Sequence, residues 1–468
     1  MKFLAFVSTL LSLFVGSLFA EEGGKKVEEK SPYGEISGQI RMYHVFEPAY
    51  IDSNPTKYDI DASAIGAKLK YTTPTWMNIG LSTAAYHVRE LHNNNLNSDT
   101  IVGAGRFLTD DLSPKIISTE NQIFYKSKTN KLTIGQQIYD SPMTKEIVTF
   151  VPNIFMGTSF TNTYAEKSSV TISHLNGMAP GSRFPVEFGL IGEGTNTAGA
   201  TQNALEANTV TNRGEFTSVE VVALGSGAVN TKGIVVLGVD HQFNKTNSIR
   251  VWNYYADDIM NMLYVEIEHK WKVDSLGLKF NAQYLREDQT GDKLASITFA
   301  TGLPNVSNFD KLSANLYGAK LSFNYKDLKG FIGYNHTSDS KIFNPWGGDP
   351  AYTSSFFSRN AYRKNVDAYK LTLNYTLNDK NNIIFHYADY GTSDTLGSLL
   401  TVEVKDAPVD LTLKEATEKA IETAILLSYK PTDQWHIFTG FIYKTSEYAV
   451  NNEVVKIFDA DLVVTYKF

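Results

Sequence analysis

From Tyr33 to the C-terminus, apolar and polar residues alternate one for one in run after run. A period of two sends successive side chains to opposite faces, so each run predicts a strand with one apolar and one polar face. The last run shows the pattern. Phe458, Ala460, Leu462, Val464, Tyr466 and Phe468 share one face, and Asp459, Asp461, Thr465 and Lys467 share the other. Most runs come in pairs: 60–71 with 79–90, 120–126 with 131–139, 233–243 with 248–256, 262–271 with 276–286, 316–325 with 330–337, 366–376 with 382–390, and 420–430 with 435–445. The short joints between them are rich in Asn, Asp, Lys and Pro, the residue types of hairpin turns. Adding 35–46, 154–163, 168–175 and the terminal run gives about 18 strands.

Between the hairpins lie longer irregular polar segments, among them 92–118, 178–231, 339–363 and 391–418. Short turns at one end and long loops at the other is the asymmetry of an outer-membrane barrel, and a tilted membrane strand needs about 9–11 residues. Alternation alone also fits a soluble β-sandwich. The expected fold is all-β: a transmembrane antiparallel up-and-down β-barrel of about 18 strands. In 276–286, Leu278, Phe280, Ala282 and Tyr284 would face lipid, and Lys279, Asn281 and Gln283 the lumen. In 262–271, Leu263, Val265 and Ile267 face out, and Tyr264, Glu266, Glu268 and Lys270 in. In 366–376, Leu371, Leu373 and Tyr375 face out, and Lys370, Thr372 and Asn374 in. Sixteen or more strands enclose water, which is what makes repeated polar lumen positions tolerable.

Composition agrees. The hydrophobic fraction is 42% and the aromatic fraction 12%, as expected where lumen-facing polar residues dilute lipid-facing ones and aromatics form girdles. A net charge of −7 speaks against a nucleic-acid partner. With no Cys there is no thiolate metal site, Cys nucleophile or disulfide. Lys2, an apolar run to Phe19, Ala20 and then Glu21-Glu22 read as a cleaved signal peptide, residues 1–20. Leu18 stands where a small residue is commoner before the cut. Residues 21–33 are charged and read as a mobile periplasmic segment, leaving 34–468 for the barrel.

A final strand ending in Phe468 resembles the closing strand of bacterial outer-membrane barrels, in which the terminal aromatic strand is read by the insertion machinery. Three further stretches resemble the OprD-type specific porins of Gram-negative outer membranes. One runs through Val239-Asp240-His241-Gln242-Phe243, Trp252-Asn253-Tyr254-Tyr255-Ala256-Asp257 and Ile267-Glu268-His269-Lys270-Trp271. Another is Val151-Pro152-Asn153-Ile154-Phe155-Met156-Gly157, similar to the segment that closes that family's inward-folded loop. The last is Gly347-Gly348-Asp349-Pro350-Ala351-Tyr352-Thr353 with Ser358-Arg359-Asn360-Ala361-Tyr362, like the loop before the fourteenth strand. The resemblance implies an outer-membrane channel, monomeric or loosely trimeric, set in lipid and passing small hydrophilic solutes by diffusion. It also implies a preference for carboxylates, often amino acids, and no cofactor.

A porin selects by width and by the charges at its constriction. The expected constriction loop is 140–153, with Asp140, Lys145, Glu146, Pro152 and Asn153 as its marked residues. The resemblance implies a ladder of basic residues on one wall, for which Arg41, Lys68, Lys279 and Lys370 are the lumen-side candidates; Glu266, Glu268 and Glu422 would form a facing acidic wall. The chain is rich in Lys and poor in Arg, and Lys lacks the bidentate fork, which weakens the case for a sharply carboxylate-selective ladder. Nine His lack metal-binding spacing, and Gly103-Ala104-Gly105 lacks the third glycine of a dinucleotide fingerprint. No motif places a Ser–His or Asp–His pair, so an enzyme is not expected. An adhesin or structural barrel acting through loops such as 178–231 is the alternative reading.

Overall fold

The computed structural model describes residues 32–51, 54–93, 115–118, 120–145, 150–181, 216–224, 232–291, 313–338, 340, 342, 344, 346–356, 365–392, 418–448 and 453–468. The expected signal peptide and almost all of the charged segment after it lie outside them. The strands are β1 (Glu35–Ile51), β2 (Asn54–Thr72), β3 (Ile79–Asn93), β4 (Lys115–Ser118), β5 (Gln122–Lys126), β6 (Asn130–Gln137), β7 (Ile154–Ala165), β8 (Ser168–Ala179), β9 (Thr217–Ser218) and β10 (Ile234–Gln242). They continue as β11 (Asn247–Ala256), β12 (Met260–Val273), β13 (Leu276–Gln289), β14 (Ser313–Tyr325), β15 (Leu328–Thr337), β16 (Val366–Asn378), β17 (Asn381–Tyr390), β18 (Glu418–Tyr429), β19 (Trp435–Tyr448) and β20 (Glu453–Lys467). One short helix, α1 (Val219–Leu224), follows β9.

These strands make a closed 18-strand antiparallel barrel plus one extra strand. β4 and β5 are two pieces of one stave, since both pair with β3. β9 is a two-residue addition beside β8. Each remaining strand pairs with its sequence neighbour, and β20 returns to β1 from Gln39↔Lys467 to Ile51↔Val455. The seam is finished at the terminus, where the Gly38 amide donates to the Phe468 carbonyl at 2.9 Å and the Phe468 amide to the Gly38 carbonyl at 3.1 Å. Every run expected from alternation contains a strand, and all but two keep close to their expected bounds. The joints are tighter than expected where two residues suffice: Lys167, Asp274 and Lys326 take positive φ of 57°, 52° and 52°, the handedness that matches strand twist.

Two strands depart from the expectation, each for a local reason. The run expected at 120–126 is broken, because the segment Ser118–Gln122 carries one residue more than the stretch of β3 it faces, between Ser82 and Ala85. That is a β-bulge, which locally bends the strand. Gly135 on β6 accommodates it at φ +116°, with no room for a Cβ against the Asn121 carbonyl. β8 runs past the expected end at 175, reaching Ala179, because its last residues pair with Ile154–Met156 of β7 on one side while Gly177 and Met178 meet Ser218 and Thr217 on the other.

The faces sort as alternation predicts. Leu69, Ile267, Leu321, Ile332 and Phe441 are exposed on the outside, while Lys68, Glu266, Glu268, Lys279 and Lys370 occupy positions of the opposite, inward parity. A wall apolar outside and charged inside inverts a soluble protein and suits a barrel in lipid around water. This excludes the β-sandwich. Rings gather on the outer wall near the short turns: Tyr164 stacks on His241, His269 on Trp271, and Trp435 lies 4.8 Å from Tyr466. Amphipathic rings belong at such a membrane interface.

Gly38 lies under the Phe468 ring, where a Cβ would collide with both that ring and the Lys68 carbonyl. We expect Gly38→Val to open the seam, at a cost of about 1–3 kcal/mol for overpacking. Heat-modifiability on gels should show its folded band converting at lower temperature than wild type; an unchanged conversion temperature would refute this.

Candidate functional site

The lumen is lined by side chains that the two-residue period turns inward. On the stretch of wall made by β1, β2, β5 and β6 these are mainly basic. Arg41 Nε donates to Thr465 Oγ1 across the seam at 3.0 Å. Lys68 and Lys70 both reach Glu120, Lys68 Nζ at 2.6 Å from Oε1 and Lys70 Nζ closing on Oε2. Lys126 and Lys131 stand opposite one another on β5 and β6, and Lys131 feels repulsion from both Lys126 and Lys70. The Glu120 side chain is only 3% exposed. It shares the inward parity of Gln122, Phe124 and Lys126, and the small Ala84, whose amide donates to the Glu120 carbonyl at 3.1 Å, is the residue of β3 paired with Lys70.

Across the lumen, β10 to β14 carry charges of both signs, interleaved. Arg250 Nε donates to Asp240 Oδ1 at 2.6 Å. Glu266 accepts from Tyr264 Oη at 2.5 Å and Asn281 Nδ2 at 2.9 Å. Glu268 is held by Lys270 at 2.6 Å and Lys279 at 3.3 Å. Asp240, Arg250, Glu266, Glu268 and Lys270 line a recess of about 320 Å³. Charges of this density are held only where water and partners solvate them.

Two loops fold into the barrel and narrow it. The first, 138–153, is described on both sides of 146–149. Before that gap, the buried Met143 packs in a cluster with Trp252 and Tyr254 of β11 and Met260, Met262 and Tyr264 of β12. Tyr254 Oη donates to Ser141 Oγ at 2.8 Å. After the gap, Phe150 and Val151 pack with Tyr43, Val45, Ala62, Ala64 and Tyr86 of β1 to β3. In the ring of strands these two clusters stand about half a turn apart, so the loop is moored to opposite walls. Gly66 leaves the space that the Phe150 ring fills.

The second loop lies on β14 to β18. Asn335 of β15, fully buried, accepts from the Thr353 amide at 3.0 Å. Tyr390 Oη donates to the Thr353 carbonyl at 2.5 Å. Lys320 sits 4.1 Å from the Tyr352 ring centroid, within cation–π range. This loop then clasps the first. Asn344 Nδ2 and the Gly348 amide both donate to the Met143 carbonyl, at 2.9 and 3.1 Å. Trp346, 1% exposed, donates from Nε1 to the Val219 carbonyl of α1 at 3.1 Å.

The expected site residues fall into three groups. Arg41 and Lys68 share one stretch of wall, whereas Lys279 and Lys370 belong to β13 and β16, too far round the ring to join them in one ladder. Lys370 Nζ donates to the Ser354 carbonyl at 2.6 Å, and Glu422 Oε1 accepts from the Phe356 amide at 2.8 Å; both tie down the second loop. Glu266 and Glu268 share one wall, apart from Glu422 on β18. In the first loop, Asp140 and Lys145 pair at 3.7 Å with 67% and 72% of their side chains exposed. Pro152 is buried, and Asn153 Oδ1 accepts from the Gly181 amide at 2.7 Å. Glu146 lies outside the described residues. Reading by sequence missed Lys70, Lys126, Lys131, Asp240, Arg250 and Lys320, although each has inward parity on its strand. It also missed Glu120, which has the same inward parity as Lys126, and the inward course of the second loop.

A closed 18-strand barrel with an apolar exterior, a charged lumen and loops folded inside defines a porin. Residues 189–380 match the model of the OprD family, described as outer membrane porins. No functionally curated protein matches the chain by sequence. Among solved structures, Acinetobacter baumannii OccAB4 superposes with a TM-score of 0.65 at 12% identity, covering 93% of this chain and 99% of that one. Pseudomonas aeruginosa OpdK, solved with vanillate, gives 0.64 at 12% identity, covering 93% and 98%. Pseudomonas aeruginosa OccK2 (OpdF), in complex with glucuronate, gives 0.61 at 11%, covering 93% and 98%. The protein is an outer-membrane porin, and its central part, residues 189–380, is similar to the OprD family.

Trp346 is the bolt between the two loops. Trp346→Ala empties a packed site, a change that costs about 3–5 kcal/mol in a core, while the strand ladder is untouched. We expect the barrel to remain folded and the single-channel current to become larger and noisier. An unaltered current trace from folded protein would refute the clasp.

Proposed function

We propose that this porin passes small hydrophilic solutes bearing a carboxylate, drawn past the constriction along the basic stretch of wall. The observation that carries the reading is the segregation of charge. Arg41, Lys68, Lys70, Lys126 and Lys131 adjoin on β1, β2, β5 and β6, whereas the wall of β10 to β14 mixes both signs. A basic track offers a carboxylate successive partners, each weak enough to leave. That OpdK was solved with vanillate and OccK2 with glucuronate, both carboxylates, supports the reading. In this proposal Asp140 and Lys145 flank the aperture with balancing charges, and Arg41 and Lys68 belong to the track. Lys279, Glu266 and Glu268 tune the far wall, and Lys370 and Glu422 brace the second loop. Lysines replace most of the arginines of a bidentate ladder, so binding along it is loose.

Selectivity by width and charge involves no bond chemistry, and each barrel encloses its own path, so one copy suffices. Residues 1–20 are the export signal in this reading, removed to leave Glu21 first, and Phe468 is the mark by which the insertion machinery takes up the last strand. Terminal sequencing of protein from outer membranes should begin at Glu21; the presence of Lys2 in the mature chain would refute the cleavage.

The track is tested in planar bilayers with the refolded protein, benzoate as solute and a KCl gradient. Lys126→Gln with Lys131→Gln should move the reversal potential towards cations. It should also weaken benzoate block by about three- to tenfold, the effect of removing lumen charges partly screened by salt. Unchanged block and reversal potential in the folded variant would overturn the track.

A further inference from the structure

We propose that Glu120 is a resident carboxylate that competes with permeating solutes for Lys68 and Lys70 and so keeps the basic wall from trapping them. The proposal rests on the reading that carboxylates travel along that wall. Glu120 holds both oxygens out to the two lysines at once, one contact at 2.6 Å and the other closer. That is the two-handed arrangement in which a solute carboxylate would bind. Its side chain is 3% exposed, while those of Lys68 and Lys70 remain 20% and 28% exposed. A passing anion therefore meets the lysines and not the glutamate.

Tyr86 Oη adds a third donor, 3.4 Å from Oε1, and the Lys68 ammonium lies 5.0 Å from the centroid of the same ring. The arrangement is built into the backbone. Glu120 shares the inward parity of Gln122, Phe124 and Lys126, and its carbonyl accepts from the amide of Ala84, the residue of β3 paired with Lys70.

The physical consequence concerns release. Two lysines side by side without a counter-ion would bind an anion in a partly desolvated lumen strongly enough to slow its exit, and conduction needs binding weak enough to leave. With Glu120 in place, an arriving carboxylate displaces part of an existing interaction and gains only the difference. When it moves on, Glu120 closes the gap. Lys126 and Lys131, farther along the track, have no part in this triad.

Glu120→Gln tests the idea, since it keeps size and one acceptor and removes the charge. In the refolded full chain, benzoate residence, read from current interruptions, should lengthen by about three- to tenfold, and the reversal potential in a KCl gradient should move towards chloride. Block of wild type by benzoate with the same residence in folded E120Q overturns the role of Glu120 and leaves the track standing. Absence of block in wild type overturns the track itself, and the competitor role with it. The double variant Lys70→Gln/Glu120→Gln removes one charge of each sign and leaves no buried lone charge, so it provides a reading even where E120Q does not refold. Its reversal potential should stay at the wild-type value, and a shift towards cations would show that Glu120 offsets nothing and overturn the proposal.

Discussion

In lipid, a backbone N–H or C=O without a partner costs several kcal/mol, because no water is there to replace the bond. A sheet meets that constraint only by closing on itself. The rest of this molecule depends on the meeting of β1 and β20, where the chain's two ends supply the last ladder of hydrogen bonds. The paired bonds between Gly38 and Phe468 carry the ladder to the final residue. Once closed, the wall has no edge, and alternation does the remaining work of placing apolar side chains in lipid and charged ones in water.

Closure around water creates a second problem. A barrel of this size is too wide to be filled by its own wall side chains, so selectivity requires chain to be brought into the lumen and kept there. The two inward loops are held by apolar packing and not by charge alone. Met143, Trp346, Trp252 and Tyr264 belong to one buried cluster, and Phe150 and Val151 to another on the far wall. Irregular backbone at membrane depth is stable when packed on protein in this way. It also explains why Lys370 and Glu422, which point into the lumen, serve loop atoms: each satisfies a backbone group of the second loop that would otherwise be buried without a partner.

The remaining charges define the path. Ion pairs across neighbouring strands, such as Arg250 with Asp240 and Glu268 with Lys279, neutralise the β10 to β14 wall locally. On the opposite wall positive charge outweighs negative, and one of its buried acids, Glu120, is shared between two lysines. Isolated exposed pairs of this kind contribute little to stability. Their effect is on the potential that a solute meets inside a water-filled tube.

The sequence by itself determined the wall. A strict two-residue period states both that a segment is a strand and which face is which, and that information is local. The eighteen staves, the lipid face of Phe458, Leu321 and Ile267, and the inward parity of Lys68, Lys279 and Glu266 were therefore all legible. So was the inward loop after β6, through its Pro-Asn-x-Phe-x-Gly ending. Only the tertiary structure decided which inward residues are neighbours, because proximity round a ring depends on strand order and stagger and not on spacing along the chain. Arg41 and Lys68 adjoin, whereas Lys279 and Lys370 stand elsewhere. The inward direction of Glu120 was legible too, since it shares the parity of Gln122, Phe124 and Lys126. Only the fold supplied its partners, because the pairing of β2, β3 and β5 brings its carboxylate between Lys68 and Lys70, 52 and 50 residues away along the chain.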